Sequence, residues 1–317
     1  MRVVVIGAGM AGLVAARTLH DESGGALDIT VVDKGRSVGG RMATRRIGDA
    51  TFDHGAQFFT VRTPAFGRRV DNWADRGLVR VWNHGFDHDD GYPRHVAPRG
   101  MTSLAKDLAA GLRVECSTMA FTLRRPTGGS APWDVVIDDG TVRPADHVIV
   151  TTPLPQAFGL LADADLELDV ETFRVDYDRT ICLLAALDRP VVVSPSGGVQ
   201  PTAGMFSFIG DNVSKGVSAA PAVTFHARPA WSDDHWDDDV DVVARALIDA
   251  ARPWLADAVV VAHDVKKWRF ATPRTTFPDP CRTLADGSIV LAGDAFAGPR
   301  IEGAHNSGLA AAHTILN

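Results

Sequence analysis

Short apolar runs alternate with helix-forming stretches at the start of the chain. Residues 3–6 (Val-Val-Val-Ile) predict a buried strand, residues 13–20 a helix, and residues 27–32 a second strand that ends at Asp33. Strand, helix and strand in this order are typical of a βαβ unit, and therefore of a parallel sheet with helices on its faces. A further short buried strand is predicted over residues 288–292.

The middle of the chain has a different pattern. Residues 133–137, the turn Asp138-Asp139-Gly140 and a strand that continues to residue 150 predict a hairpin, and another strand is predicted near residues 114–123. Helices are predicted over residues 102–110 and 155–161. Strands at 180–187 and 222–227 with an amphipathic helix at 238–255 indicate a second, α+β lobe built on an antiparallel sheet. The predicted fold class is therefore α/β, with a Rossmann-like first domain.

Length, charge and cysteine content limit the classes of protein to which the chain can belong. A chain of 317 residues exceeds the usual size of a single core, so two lobes are expected. The net charge of −7 argues against general nucleic-acid binding. No apolar run reaches the roughly 18 residues needed to cross a bilayer, and three cysteines without metal spacing suit a reducing compartment, so a cytoplasmic protein without a membrane segment is expected.

The first glycine-rich turn carries a recognisable chemistry. Gly7, Gly9 and Gly12 form GxGxxG between the first strand and the first helix, which is the arrangement of a dinucleotide site. The first glycine allows the tight turn, the second lets the backbone approach a pyrophosphate, and the third lets the helix pack on the strand. Asp33 is expected to accept a hydrogen bond from the adenosine ribose.

Two later segments point to a flavin rather than a nicotinamide cofactor. Residues 34–42 (Lys-Gly-Arg-Ser-Val-Gly-Gly-Arg-Met) bring a glycine pair and Arg41, whose guanidinium can neutralise a phosphate with paired donors. Near the C-terminus, a predicted strand leads into Gly293-Asp294, and residues 298–308 fit the start of a helix whose amides could stabilise negative charge on a reduced ring.

With these motifs, the chain resembles the flavin amine oxidase superfamily, and within it the renalase family. The resemblance covers most of the length and includes residues 52–60 (FDHGAQFFT), 99–101, 151–153, 211–216, 226–232 (HARPAWS) and 267–270. Within 226–232 the chain departs from the family pattern at Arg228 and Ala230, in the expected substrate lobe. The resemblance implies a discontinuous cofactor domain (1–62, 98–154 and 266–317) and a substrate domain (63–97 and 155–265).

The resemblance also implies a cofactor, a reaction and a set of contacts. The cofactor would be noncovalent FAD, and the reaction the oxidation of 2- or 6-dihydro isomers of NAD(P)H to NAD(P)+, with dioxygen reduced to hydrogen peroxide. The cofactor-binding residues implied are Gly7, Gly9, Met10, Ala11, Gly12, Asp33, Lys34, Gly40, Arg41, Met42, Gly55, Ala56, Gln57, Phe58, Met119, Thr152, Pro153, Gly293, Asp294, Arg300, Ile301, Glu302, Gly303, Ala304 and Ser307.

For substrate placement the candidates are Gln57, Asn212 and His226, because each is a polar residue in a family-like segment. A single histidine on an apolar strand is often only a core residue, so a structural role for His226 stays open. No metal site is expected, since the acids around residues 233–239 suit the positive end of a helix. The alternatives are oxidation of an amine or of a carbon–carbon bond by the same fold, and a flavin-binding sensor without turnover.

Overall fold

A computed structural model describes residues 1–128 and 131–317. The strands are β1 (Arg2–Ile6), β2 (Asp28–Asp33), β3 (Thr44–Ile47), β4 (Ala50–Asp53), β5 (Arg80–Asn83), β6 (Arg94–Val96), β7 (Arg113–Cys116), β8 (Ala120–Arg124), β9 (Trp133–Ile137), β10 (Val142–Ala145), β11 (His147–Val150), β12 (Tyr177–Leu187), β13 (Gly198–Val199), β14 (Phe206–Asp211), β15 (Ala222–Ala227), β16 (Val260–Pro273), β17 (Arg282–Leu284) and β18 (Ile289–Leu291). The helices are α1 (Met10–Glu22), α2 (Pro64–Asp75), α3 (Thr102–Ala109), α4 (Leu154–Leu161), α5 (Val170–Phe173), α6 (Pro229–Asp234), α7 (Val240–Leu255) and α8 (Ile301–Leu316).

The chain divides into two compact units. The first unit comprises residues 1–40, 104–176 and 273–317, and the second comprises residues 41–103 and 177–272. These boundaries differ from the predicted domains over four segments, of which residues 98–103 and 266–272 are short and lie in the second unit. Residues 41–62 belong to the second unit, where β4 packs against β15, and residues 155–176 belong to the first unit, where α4 packs against β8. The assignment of a cofactor role and a substrate role to the lobes stays a prediction.

The first unit contains a six-stranded sheet in the order β17-β18-β11-β1-β2-β7. The strands from β18 to β7 run parallel, and β17 pairs antiparallel at the edge. The inner strands are almost wholly buried, as expected for a parallel sheet covered on both faces. Helices α1 and α8 pack on each other closely enough that a Cβ on Gly308 would lie 2.2 Å from the Ala11 carbonyl oxygen. The predicted strand–helix–strand start and the strand near 288–292 are confirmed.

Two sequence predictions in this unit were wrong in detail. The strand expected from the 138–140 turn to residue 150 is two strands: β10 pairs with β9 in a three-stranded sheet, and β11 joins β1 in the parallel sheet. The strand expected at 114–123 is also two, β7 and β8. The chain leaves the parallel sheet at Ser117, whose φ is +54° and whose N–H donates to the Gly35 carbonyl instead.

The second unit is built on a five-stranded sheet in the order β13-β14-β15-β12-β16. The pairs among β13, β14, β15 and β12 are antiparallel, which confirms the predicted sheet. Helix α7 packs against β12 through Val243, Leu247 and Ala251, which are at most 1% exposed. The acidic start of this helix caps it, since the Asp239 carboxylate accepts from the first-turn amides. Among the residues described, no helix is both long and apolar enough to cross a membrane.

Candidate functional site

The glycine-rich turn after β1 lies at the carboxyl end of the parallel sheet. Gly7 has a φ of +108°, and a Cβ there would lie 2.5 Å from Thr151 Oγ1. A Cβ on Gly12 would lie 1.9 Å from the Gly7 carbonyl oxygen, so both positions need glycine for the fold itself. Gly9 differs, because a Cβ placed on it would have no other atom within 4 Å. Gly9 therefore leaves open space at the N-terminus of α1, where an anion is favoured.

Asp33 and the diglycine close around the same turn. Asp33 Oδ2 accepts from the Ala8 N–H at 2.6 Å and Oδ1 accepts from the Gly35 N–H at 2.6 Å. Each carboxylate oxygen keeps a second lone pair, which leaves capacity to accept from a ribose hydroxyl. The Gly39 N–H donates to the Ala8 carbonyl at 2.8 Å, and a Cβ on Gly40 would lie 3.6 Å from the Cα of Gly9. The first two sequence motifs are thus adjacent.

Strands β11 and β18 of the same sheet end close to the third predicted motif, Gly293-Asp294. Thr151, after β11, donates its hydroxyl to the carbonyls of Ile6 and Gly7 and so supports the first turn. The hydroxyl of Thr152 is buried without a hydrogen-bond partner among the described residues. An orphaned buried hydroxyl at this edge suits contact with a polar ligand. Asp294, after β18, is 8% exposed.

Helix α8 begins beside the end of β18. A Cβ on Gly303 would lie 1.9 Å from the Gly298 carbonyl oxygen, so the first turn packs directly on the preceding loop. Ser307, predicted to bind the cofactor, accepts a hydrogen bond from the Gly293 N–H at 2.8 Å and so braces this loop. Two helix N-termini and a buried hydroxyl at one sheet edge therefore fit an anionic dinucleotide.

The segments after Gly40 belong to the second unit, where they are held tightly. The Arg41 carbonyl accepts from the Ala56 N–H at 2.8 Å, and a Cβ on Gly55 would lie 1.9 Å from that carbonyl oxygen. The Arg41 guanidinium donates through Nη1 to the carbonyls of Phe270 and Ala271 on β16. Neutralisation of a pyrophosphate by Arg41 remains a prediction.

A buried polar cluster occupies the second unit, and we refer to Asp53, Gln57, Lys215 and His226 as the Lys215 cluster. Lys215 is 0% exposed, lies 3.6 Å from Asp53 Oδ2 and donates to Gln57 Oε1 at 2.9 Å. Asp53 Oδ1 accepts from the Thr44 hydroxyl and from a backbone amide. Gln57 Nε2 lies 3.3 Å from His226 Nε2. Two of the three predicted substrate-placing residues, Gln57 and His226, thus meet in one cluster.

Asn212, the third candidate, lies next to the Lys215 cluster but its amide is used by the fold. Its Nδ2 donates to the Thr224 hydroxyl and the Ala222 carbonyl, and its Oδ1 accepts from the Asp53 N–H. The residue is 0% exposed. Its contacts brace the backbone that carries Asp53, and a direct substrate contact remains a prediction.

Burial dominates the electrostatics of this region. Desolvation lowers the pKa of Lys215 and raises the pKa of Asp53, and each opposes the shift of the other through its charge. Burial, with the nearby Lys215 and His54, lowers the pKa of His226 to about 3. The pKa of His54 is lowered to about 4, first by burial and then by Lys266 and Arg45. Both histidines are therefore neutral at physiological pH.

Aromatic side chains surround the polar groups. Phe86 contacts Phe58, Trp82 and Phe208 with ring centroids 5.2, 5.5 and 5.6 Å away, and Phe208 lies 5.9 Å from the His226 ring. Planar apolar walls with a few directed polar groups are the usual composition of a small-molecule site.

Sequence reasoning did not single out Lys215, Asp53, His54 or Trp268 as functional candidates. The His54 ring stacks on Trp268, and the His54 carbonyl accepts from the Trp268 indole N–H at 2.8 Å. All four lie in the family-like segments, which was the available signal. Burial of a lysine has no signature in local hydrophobic periodicity. In the part of the chain that the structure describes, no group of three or more His, Cys, Asp or Glu side chains could hold a metal ion.

Two models of known protein families match this chain. The model of the flavin containing amine oxidoreductases matches residues 74–316, and that of an NAD(P)-binding Rossmann-like domain matches residues 5–74. The chain belongs to the flavin-containing amine oxidoreductase family. This membership implies a flavin cofactor.

Individual relatives agree with this family. Renalase from Mus musculus is 30% identical over 172 residues, which are 51% of this chain and 50% of that protein. Probable polyamine oxidase 5 from Arabidopsis thaliana is 42% identical over 55 residues, or 17% of this chain and 10% of that protein. The matched segments span half or less of the length of these curated relatives.

Solved structures resemble the whole chain. Putrescine oxidase, solved with putrescine bound, has a TM-score of 0.73 at 13% identity and covers 100% of this chain and 99% of its own. An oxidoreductase from Methanosarcina mazei has a TM-score of 0.66 at 12% identity, over 98% of this chain and 99% of its own. At these identities the likeness concerns the fold alone.

Proposed function

We propose that this flavoprotein is a renalase-like oxidase that converts 2- or 6-dihydro isomers of NAD(P)H to NAD(P)+. The observation that carries the proposal is the 30% identity to renalase over 172 residues. The overall reaction combines the dihydropyridine, dioxygen and one proton to give NAD(P)+ and hydrogen peroxide. FAD, when bound, would supply the two-electron chemistry that links oxidation of the dihydropyridine to reduction of dioxygen.

The residues at the edge of the parallel sheet would hold FAD noncovalently. The space at Gly9 and the amides of the first turn of α1 suit its pyrophosphate, and the carboxylate of Asp33 suits its ribose hydroxyls. The hydroxyl of Thr152 and the first turn of α8 offer further donors. The remaining contacts implied by the resemblance belong to this proposal.

The aromatic rings around Phe86, with Gln57 and His226, would orient the dihydropyridine. Oxidation of this substrate needs no general base, because hydride loss turns a neutral ring into a pyridinium cation. A neutral His226 suits the reaction, since a protonated imidazole would oppose the developing positive charge. The residues supply orientation and a fixed electrostatic environment.

The test is anaerobic mixing of the purified yellow protein with 2-dihydroNAD, 6-dihydroNAD, ordinary NADH and a panel of primary amines while flavin bleaching is followed. We expect rapid bleaching by one dihydro isomer and hydrogen peroxide on readmitting air. Bleaching by amines alone would replace the proposal with an amine oxidase, an activity that membership in the amine oxidoreductase family makes the second candidate. Bleaching by no compound would favour a desaturase-type enzyme or a sensor.

A variant links the activity to the Lys215 cluster. Gln57→Leu removes the amide and is expected to lower the rate of bleaching measured per bound flavin. The matched control is Thr224→Val, which removes a buried hydroxyl on β15 that donates to the Asp53 carbonyl at 3.0 Å. Equal rates in the two variants would argue against substrate placement by Gln57.

A further inference from the structure

Lys215 has a position that the proposed function does not yet explain. Its ammonium is wholly buried, and its contacts are the Asp53 carboxylate at 3.6 Å, the Gln57 amide oxygen at 2.9 Å and the Trp82 ring, whose centroid is 5.9 Å away. Burial of a lysine costs several kcal/mol unless the charge is paired. A pairing with Asp53 alone would not require the contact with Gln57.

The contact with Lys215 orients the Gln57 amide. An ammonium group can only donate, so it selects the oxygen end of the amide. The nitrogen end then faces the carbonyls of Asp53 at 2.7 Å and Gly55 at 3.1 Å, which can only accept. The neighbours at both ends of the amide therefore favour the same orientation of Gln57.

The orientation of Gln57 decides the protonation of His226. Gln57 Nε2 lies 3.3 Å from His226 Nε2, and it has two hydrogens to share among this nitrogen and two backbone carbonyls. Because an amide nitrogen cannot accept, the contact is favourable only when the ring nitrogen carries no proton. The neutral ring then bears its proton on Nδ1. A doubly protonated ring would place a donor against the amide donors and a cation near Lys215.

Several neighbouring groups influence the protonation of His226. Lys215 and a protonated His54 ring would both disfavour the charged form of His226, whereas a hydrogen bond with the His54 backbone favours it. The carboxylates of Asp53 and Asp211 offset the ammonium charge. The Lys215–Asp53 pair thus adds little net charge while it retains a directed donor. The direction of the Lys215 hydrogen bond, rather than the net charge of the pair, therefore orients Gln57.

We propose that Lys215 is a positioning residue which, anchored by Asp53, orients the Gln57 amide and thereby holds His226 in the neutral Nδ1–H tautomer. The consequence for catalysis rests on the proposed function: the substrate meets a fixed, uncharged imidazole as its own ring becomes a cation. The tautomer itself is a property of the chain and can be measured without turnover.

The experiment compares 15N-histidine NMR spectra of the holoenzyme and its variants between pH 5.5 and 8.5. The principal variant is the double change Asp53→Asn with Lys215→Met, because a single change would leave a buried unpaired charge. We expect a single Nδ1–H tautomer of His226 in the wild type. In the double variant we expect a mixture of the two neutral tautomers across this pH range.

Two further variants sharpen the comparison. Gln57→Glu replaces the donor facing His226 Nε2 by a carboxylate oxygen, so that nitrogen should become protonated. Thr224→Val disturbs the same core without touching Lys215 or Gln57, and should retain the wild-type tautomer. A wild type with protonated Nε2, or a folded double variant with the unchanged single tautomer, would overturn the inference.

Steady-state kinetics separate this inference from the proposed function. In the double variant we expect KM for the dihydro isomer to rise about tenfold while flavin content is unchanged, since loss of an oriented charged hydrogen bond is worth about 1.5 kcal/mol. If no dihydro isomer reduces the wild-type flavin, the proposed function fails while the tautomer measurement still decides the role of Lys215. Wild-type KM in a variant with mixed tautomers would refute the catalytic consequence alone.

Discussion

Gly9→Val should remove the cofactor without unfolding the protein. The backbone at Gly9 is extended (φ −80°, ψ −171°), and no atom lies within 4 Å of a Cβ placed there, so the fold can accept a side chain. The loss of a favourable residue at the helix N-terminus costs about 1 kcal/mol, and reduced freedom of the unfolded chain offsets part of it. Stability of the apoprotein should therefore change by less than about 1 kcal/mol.

The same side chain would fill the space through which a pyrophosphate reaches the amides of α1. Loss of two amide hydrogen bonds to a charged group costs about 3 kcal/mol, which corresponds to about a hundredfold weaker FAD binding. The assay is the ratio of flavin to protein absorbance after purification, followed by FAD titration of the apoprotein and its thermal unfolding. The expected result is a folded but colourless protein.

Two other glycines serve as controls. Gly12→Val places its Cβ 1.9 Å from the Gly7 carbonyl oxygen and should destabilise the apoprotein by about 1–3 kcal/mol or more. Gly159→Ala lies in α4 with no atom within 4 Å of its Cβ and should leave the colour unchanged while it stabilises the helix. Full yellow occupancy in Gly9→Val would refute the location of the cofactor at this turn.

Three further predictions concern stability. The folded-state pKa values of His54 and His226 are about 4 and about 3, so below pH 6.5 the unfolded chain binds protons that the folded chain excludes. Each histidine should therefore lower the free energy of unfolding by about 1.4 kcal/mol per pH unit as the pH falls. Urea unfolding from pH 7.5 to 4.5 checks this, and a flat profile would contradict it. Lys215→Met should destabilise by about 3–5 kcal/mol, and the added Asp53→Asn should restore most of that loss in the same assay. Gly308→Val should lower the melting temperature strongly, whereas an unchanged value would refute the close crossing of α1 and α8.

The strand–helix–strand start could be predicted from the sequence because its determinants are local. Neighbouring residues alone define these determinants, which are the apolar runs, the glycines that the turn requires and the acid at the end of a strand. The same holds for the capped helix α7 and for the motifs that led to the flavin family. The expected dinucleotide motifs do meet at one sheet edge, since carboxyl ends of parallel strands share an edge.

Only the tertiary structure decided the strand partners and the Lys215 cluster. Residues 142–150 read as one strand, yet β10 and β11 pair with different sheets, because backbone pairing depends on partners distant in sequence. Lys215 and Gln57 are separated by 158 positions. Lysine is usually exposed, and no local sequence pattern predicts that this one is buried against so distant a partner. The sequence by itself therefore predicted a dinucleotide site at the edge of the parallel sheet, and the packing of the second unit decided which polar groups meet in the Lys215 cluster.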